Sequence, residues 1–293
     1  MSKHAVLDEL VALLSLERIE ENLFRGQSQD LGWGTVYGGQ VLGQALAAAV
    51  ATVDERPSPR HVHSMHAYFL RPGDVRRPIV YEVDRIRDGS SFTTRRVVAQ
   101  QNGQPIFMAA ASFQTVEPGF SHQATMPDVP APETLPSEQD LLRAQMDRLP
   151  RVLLERALTD RPLEMRPVHP GPDPAAPTPM PPYRNVWLRA VERLPDDPGL
   201  HTALLAYASD WSLLTTALLP HGVTWLTPGM QVASVDHSIW FHAPFRLDEW
   251  LLHSIDSPAA SGARGLVRGQ IFSRDGRLVA STAQEGLIRL RAR

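Results

Sequence analysis

The feature that most constrains this 293-residue chain is an internal repeat. His63-Ser64-Met65-His66-Ala67-Tyr68-Phe69 is echoed by His237-Ser238-Ile239-Trp240-Phe241-His242 at an offset of roughly 173 residues. Downstream of each copy comes a strand-like run, a turn and a second strand-like run. The turns are Asn102-Gly103 and Asp275-Gly276, and such dipeptides between β-rich runs are strong short-range hairpin signals. A chain that repeats at this length folds as two similar units, each with its own core.

Both units read as an early strand, a central helix and then about four antiparallel strands. In the first unit the strands are expected near 61–71, 77–87, 90–102 and 104–115, and in the second near 231–243, 249–257, 263–274 and 277–290. The first central helix is Gly38 to Val50, rich in Ala and Gly, which lets a helix lie close against a sheet. The second is expected at Trp211 to Leu219, directly after Ser209-Asp210. An α+β architecture follows: two fused domains, each a curved antiparallel sheet wrapped around a central helix. The domains are expected at 1–118 and 161–293, joined by a linker at 119–160. Short helices are expected there at Glu138–Arg148 and Val152–Leu158. Residues 167–182 form a Pro-rich loop, stiff and without packing capacity of its own.

Composition removes several functions. There is no cysteine, so a thiol nucleophile, a thiolate metal site and a disulfide framework are all absent, which fits a reducing cytoplasm. The formal net charge of −3 advertises neither nucleic acid nor an anionic membrane. No run approaches the roughly 18 apolar residues of a membrane span.

The motifs are more specific. The second unit holds Tyr207-Ala208-Ser209-Asp210, Pro220-His221-Gly222, Val235-Asp236-His237-Ser238-Ile239-Trp240-Phe241-His242 and Ala280-Ser281-Thr282-Ala283-Gln284-Glu285-Gly286. The first holds Val36-Tyr37-Gly38-Gly39-Gln40-Val41 and His66-Ala67-Tyr68-Phe69-Leu70-Arg71-Pro72-Gly73-Asp74. In order and length these resemble the acyl-CoA thioesterase II family over nearly the whole chain, least in the Pro-rich linker. The resemblance implies a double hot-dog fold and hydrolysis of acyl-CoA to free fatty acid and CoA; no cofactor and no metal are expected. It implies assembly as a homo-oligomer, a dimer or tetramer. It also carries the family's Asp, hydroxyl and Gln onto Asp210, Ser234 and Gln284. Serine departs from the commoner threonine: it keeps the hydroxyl but lacks the methyl that restricts the rotamer.

Those three residues suit thioester hydrolysis by water. Asp210 can take a proton from the water, while Ser234 and Gln284 hold it by hydrogen bonds. Placed at the start of a helix, Asp210 would be held ionised by the helix dipole and so be a weak base. Backbone N–H groups at Gly38-Gly39 or Trp211-Ser212 are candidates for binding the thioester oxygen. At a constant offset, Asp210, Ser234 and Gln284 face Tyr37, His61 and Ala111. The first unit lacks the acid and the amide, so one site per chain is expected.

Blander readings compete. Asp210 alone would pass as a helix cap, and Ser234 and Gln284 as ordinary strand residues. His61, His63 and His66 do not share one strand face and make a poor metal site. In Asp236-His237-Ser238 the middle residue points away from its neighbours, so no triad forms. Arg71, Arg264 and Arg268 read as surface arginines. Other functions that fit the fold are a hydratase or dehydratase on acyl thioesters, an inactive acyl-CoA-binding protein and a β-rich interaction module.

Overall fold

The computed structural model describes residues 3–54, 58–148, 153–154, 158–173 and 176–291. The first half contributes helix α1 (Lys3–Leu14), strands β1 (Glu17–Glu20) and β2 (Leu23–Gly26), helix α2 (Gly38–Val50), and strands β3 (Arg60–Phe69), β4 (Ile79–Asp88), β5 (Phe92–Gln101) and β6 (Gln104–Thr115). Helix α3 (Glu138–Arg143) follows. The second half contributes β7 (Leu163–Pro167), β8 (Tyr183–Ala190), α4 (Pro198–Ser209), β9 (Met230–Ser234), β10 (Asp236–Phe241), β11 (Leu251–Ser261), β12 (Arg264–Ser273) and β13 (Leu278–Leu290).

All the described strands join one antiparallel sheet in the order β1-β2-β4-β5-β6-β3-β10-β13-β12-β11-β8-β7, with β9 also on β13. The order is a palindrome of the repeat. Strands β3 and β10, which carry the echoed motif, pair with each other at its centre, His66 opposite Ser238 and Met65 opposite Ile239. Each half curves around its own helix, α2 or α4, in the expected hot-dog arrangement. The hairpin between β5 and β6 turns at Asn102 and Gly103, both with positive φ (53° and 70°), as a type I′ turn requires.

The two helices lie side by side and antiparallel. A Cβ added at Gly39 would sit 2.2 Å from the Tyr207 carbonyl oxygen, and one at Gly43 would sit 2.9 Å from that of Ala203. Glycine is required at Gly39 because backbone meets backbone there. Around this contact Trp33, Tyr37, Tyr207 and Trp211 form an aromatic cluster with ring centroids 5.1–5.9 Å apart. The Tyr37 hydroxyl donates to the Tyr207 carbonyl at 3.0 Å.

Several sequence expectations need correction. The second central helix is not Trp211 to Leu219 but Pro198–Ser209. Its start signal is Asp197, whose side chain accepts from the Gly199 and Leu200 N–H groups, with proline at the first helical position. Ser212 has φ 58°, so no helix runs through Trp211, and Leu214–His221 forms a 3₁₀ segment containing Pro220. Asp210 is therefore the C-cap of α4, and its counterpart is the C-cap of α2, Ala51, rather than Tyr37. Helix α3 stops at Arg143, with a 3₁₀ turn at Met146–Arg148, instead of running on to 148 as one helix. The helix expected at Val152–Leu158 falls largely outside the described residues.

The strand expected at 231–243 is also interrupted. Ser234 pairs with Gly286, and Ser238 pairs with Ala283. Four steps on one strand thus match three on the other, so β9 and β10 are separated by a bulge at Val235, which a continuous reading cannot show. Residues 234 and 237 would face opposite sides of a regular strand. The extra residue turns both toward β13.

Candidate active site

Four elements of the second half, α4, β9, β10 and β13, converge with the N-terminus of α2 from the first. Gln284, buried on β13, donates from Nε2 to the Asp210 Oδ1 at 3.1 Å and to the Ser234 Oγ at 2.6 Å. Asp210 also accepts hydrogen bonds from the Ser234 side chain and the Gly39 backbone N–H. The three residues expected from sequence are thus in mutual contact. Gly38 borders them: a Cβ there would lie 2.7 Å from the Asp210 Oδ2.

The expectation that a helix dipole holds Asp210 ionised and weakly basic is corrected in two ways. Its own helix presents its C-terminal, negative end; the N-terminus it meets is that of α2, from the other half. Burial is the larger influence and raises the carboxyl above its usual range, opposed by the charge of His237 and the hydrogen bonds from Gln284, Gly39 and Ser234. A carboxylate raised in this way is a stronger base. The chemical step is expected to lose rate as pH falls through this raised value, with an acid limb above the ordinary carboxylate range. A pH profile of kcat checks this; an acid limb at or below pH 4 would contradict it.

Sequence reasoning passed over one member. Fully buried His237 has Nδ1 3.1 Å from the Gln284 Oε1 and Nε2 3.0 Å from the Ser209 Oγ. Its neighbours look elsewhere: Asp236 accepts from the Glu285 N–H and Ser238 bonds the His66 ring. No Asp236–His237–Ser238 triad exists. The signal available in sequence was the motif Asp-His-Ser itself, but only the bulge explains why His237 and Ser234 share a face. Of the other histidines, His63 bonds the Ser112 hydroxyl at 2.8 Å. Arg264 and Arg268 pair with Glu285 and Asp256, and Arg71 donates to the Pro105 carbonyl.

A cavity of about 590 Å³ adjoins the Asp210 segment. Ala208, Trp211 and Ser212 line it on that side, and Leu142, Val186, Leu188, Leu218 and Ile255 give it an apolar wall beside the polar Glu138, Arg184 and His253. Its size lies within the usual range for small-molecule sites.

Comparison with known proteins identifies the family. Residues 28–114 match the family described as acyl-CoA thioesterase N-terminal domain, and residues 154–287 match the family described as acyl-CoA thioesterase. The chain is 46% identical to acyl-CoA thioesterase 2 of Haemophilus influenzae, across 97% of this chain and 98% of that one. The chain belongs to the acyl-CoA thioesterase family. The solved structure of an acyl-CoA thioesterase II from Mycobacterium marinum superposes with a TM-score of 0.78 at 42% identity, covering 97% of this chain and 99% of that one. A protein of unknown function with a hot-dog fold from Alicyclobacillus acidocaldarius, 20% identical, superposes with a TM-score of 0.75 over 97% of this chain and 99% of that one, a likeness of fold alone.

Proposed function

We propose that this member of the acyl-CoA thioesterase family hydrolyses acyl-CoA to free fatty acid and CoA, with Asp210, Ser234 and Gln284 activating a water. The observation that carries this reading is the direct contact of a raised, half-buried carboxyl with a hydroxyl and an amide at the mouth of a helix N-terminus. Asp210 takes a proton from the water as its oxygen attacks the thioester carbonyl. Ser234 and Gln284 hold that water in line. The resulting oxyanion is stabilised by first-turn N–H groups of α2 near Gly38, the ones not engaged by Asp210. Collapse breaks the C–S bond, and the proton held on Asp210 goes to the departing sulfur. One site serves each chain, because α2 ends in Ala51 where α4 ends in Asp210.

The reading is supported over a hydratase because, among the described residues, no histidine is hydrogen-bonded to the Asp210 carboxylate: His237 reaches the Gln284 Oε1 instead. The decisive test follows free thiol from a panel of acetyl- to palmitoyl-CoA. Thiol release supports hydrolysis; its absence across the panel, with water added to an unsaturated acyl-CoA, would favour a hydratase. The lack of cysteine keeps the thiol background low.

The cavity beside Asp210 is proposed to take the acyl chain. Val186→Phe, on its β8 wall, is expected to lower kcat/KM for palmitoyl-CoA by about tenfold or more while acetyl-CoA stays within about twofold, since filling a pocket penalises only the chains that reach it. Equal effects on both substrates would place the chain elsewhere. Assembly into a homo-oligomer fits the outer face of the central sheet, where cross-strand neighbours Tyr68 and Met108 are exposed. A cytoplasmic location fits the cysteine-free composition. Among the described residues no helix is long and apolar enough to cross a membrane.

A further inference from the structure

We infer that His237 is the positioning residue that holds the Gln284 amide in the orientation in which Asp210 and Ser234 receive a donor, acting from the opposite end of the amide to Asp210. The inference rests on the Asp210–Ser234–Gln284 reading above. An amide has two ends of similar shape and opposite character, and its orientation follows from its partners. At one end Gln284 faces a carboxylate and a hydroxyl, at 3.1 and 2.6 Å. An ionised carboxylate only accepts, so the NH₂ must stand there. The other end, Oε1, also only accepts, and it lies 3.1 Å from the His237 Nδ1. That contact is a hydrogen bond only if Nδ1 carries a proton.

The far side of the ring permits this. The His237 Nε2 meets the Ser209 Oγ at 3.0 Å, and the same hydroxyl donates to the Ala206 carbonyl at 2.9 Å. That hydroxyl has one proton, so Nδ1–H is compatible with Ser209 in two ways: Nε2 is also protonated and donates to the Oγ, or Ser209 turns its proton from the Ala206 carbonyl to a bare Nε2. The Nδ1 proton itself is set by Gln284. His237 is fully buried, as is Gln284 but for a trace of surface, so a flipped amide would find no water to repair the loss. Flipping would set Oε1 against the carboxylate and NH₂ against Nδ1–H. The bulge at Val235 is what makes the arrangement possible, since it turns Ser234 and His237 to the same face and lets them hold opposite ends of one side chain. Ser209 and Asp210, adjacent in the chain, close the loop from the two sides.

Two substitutions separate this role from simple packing. Asparagine places its Nδ2 as many bonds from Cα as Nδ1 of histidine, and glutamine places its Nε2 as many as Nε2. His237→Asn therefore keeps the donor toward Gln284 and loses the contact with Ser209; His237→Gln does the reverse. Thiol release from a saturating acyl-CoA is expected to fall about 20-fold or more in His237→Gln, with KM changed by less than about twofold, while His237→Asn stays within about fivefold of wild type. In a Gln284→Ala background the two substitutions are expected to give the same kcat within about twofold, because the group through which they act is gone. Equal kcat for the two single variants, or a difference that persists without Gln284, would overturn the inference while leaving the site reading intact. Full activity in Gln284→Ala alone would overturn both. Neutron diffraction from crystals of the unmodified protein supplies the measurement that needs no variant to fold: deuterium on the His237 Nδ1, with ND₂ of Gln284 toward Asp210, is expected, and a bare Nδ1 would overturn the inference.

Discussion

Replacing Asp210 by asparagine is expected to lower thiol release from acyl-CoA by at least about 100-fold, equivalent to about 3 kcal/mol of barrier, in a protein that still folds. Asparagine is nearly the same shape and can still accept from Gln284, but it cannot take a proton from water. The site then keeps its geometry and loses its base. The same change has an expected signature in stability. Burial raises the Asp210 carboxyl, so the folded state binds that proton more tightly than the unfolded chain does. The stability this contributes is present at low pH, below the unfolded value, and is lost as pH rises through the folded value. At pH 8 the ionised side chain therefore weakens the fold, and the asparagine variant is expected to melt no lower than the wild type. Its advantage should shrink toward pH 4. Thermal unfolding at both pH values and steady-state thiol release measure the two effects on one sample. Retained activity would remove Asp210 from the chemistry; a melting point that dropped at pH 8 would mean that the carboxylate is held more by its hydrogen bonds than it is strained by burial.

How far this arrangement could be read from sequence depends on the range of the signal. The hairpin turn at Asn102-Gly103 was legible because two adjacent residues that tolerate positive φ carry the information locally. The repeat was legible because paired strands of the same motif sit at the centre of the sheet. The triple of Asp210, Ser234 and Gln284 came from resemblance, and the structure brings the three into contact. The second central helix was misplaced because Asp210 followed by an apolar run resembles a helix start, whereas Asp197-Pro198 was the stronger signal and lay 13 residues upstream. A constant repeat offset concealed this, since the second half carries an extra 3₁₀ segment between helix and strands. The bulge at Val235 had no local mark at all. It is set by pairing with β13, and without it His237 appears to face away from the site it supports.

The contact between the two halves should prove as sensitive as the chemistry. Gly39→Ala is expected to destabilise the fold by about 3 kcal/mol, the upper end of the range for overpacking, and to lower the melting temperature by roughly 5 °C for a chain of this size. The added methyl would lie 2.2 Å from the Tyr207 carbonyl oxygen, with the Tyr37 ring within 2.6 Å on another side. Carbonyl oxygen belongs to the backbone of α4 and cannot swing aside, so α2 and α4 must separate or tilt. Gly39 also donates its N–H to Asp210, and the same displacement would draw that donor away from the carboxylate. Activity and stability should therefore fall together, unlike the Asp210 case, in which they part. Gly43→Ala is the control one turn along the same helix. Its methyl would meet the Ala203 carbonyl at 2.9 Å and the flexible end of Leu14 at 3.0 Å, a milder overlap farther from the site. It is expected to cost less stability and to spare kcat. If Gly39→Ala melted like wild type, the helices would not be held at this separation, and the α2 N-terminus could not be the fixed wall on which Asp210 depends.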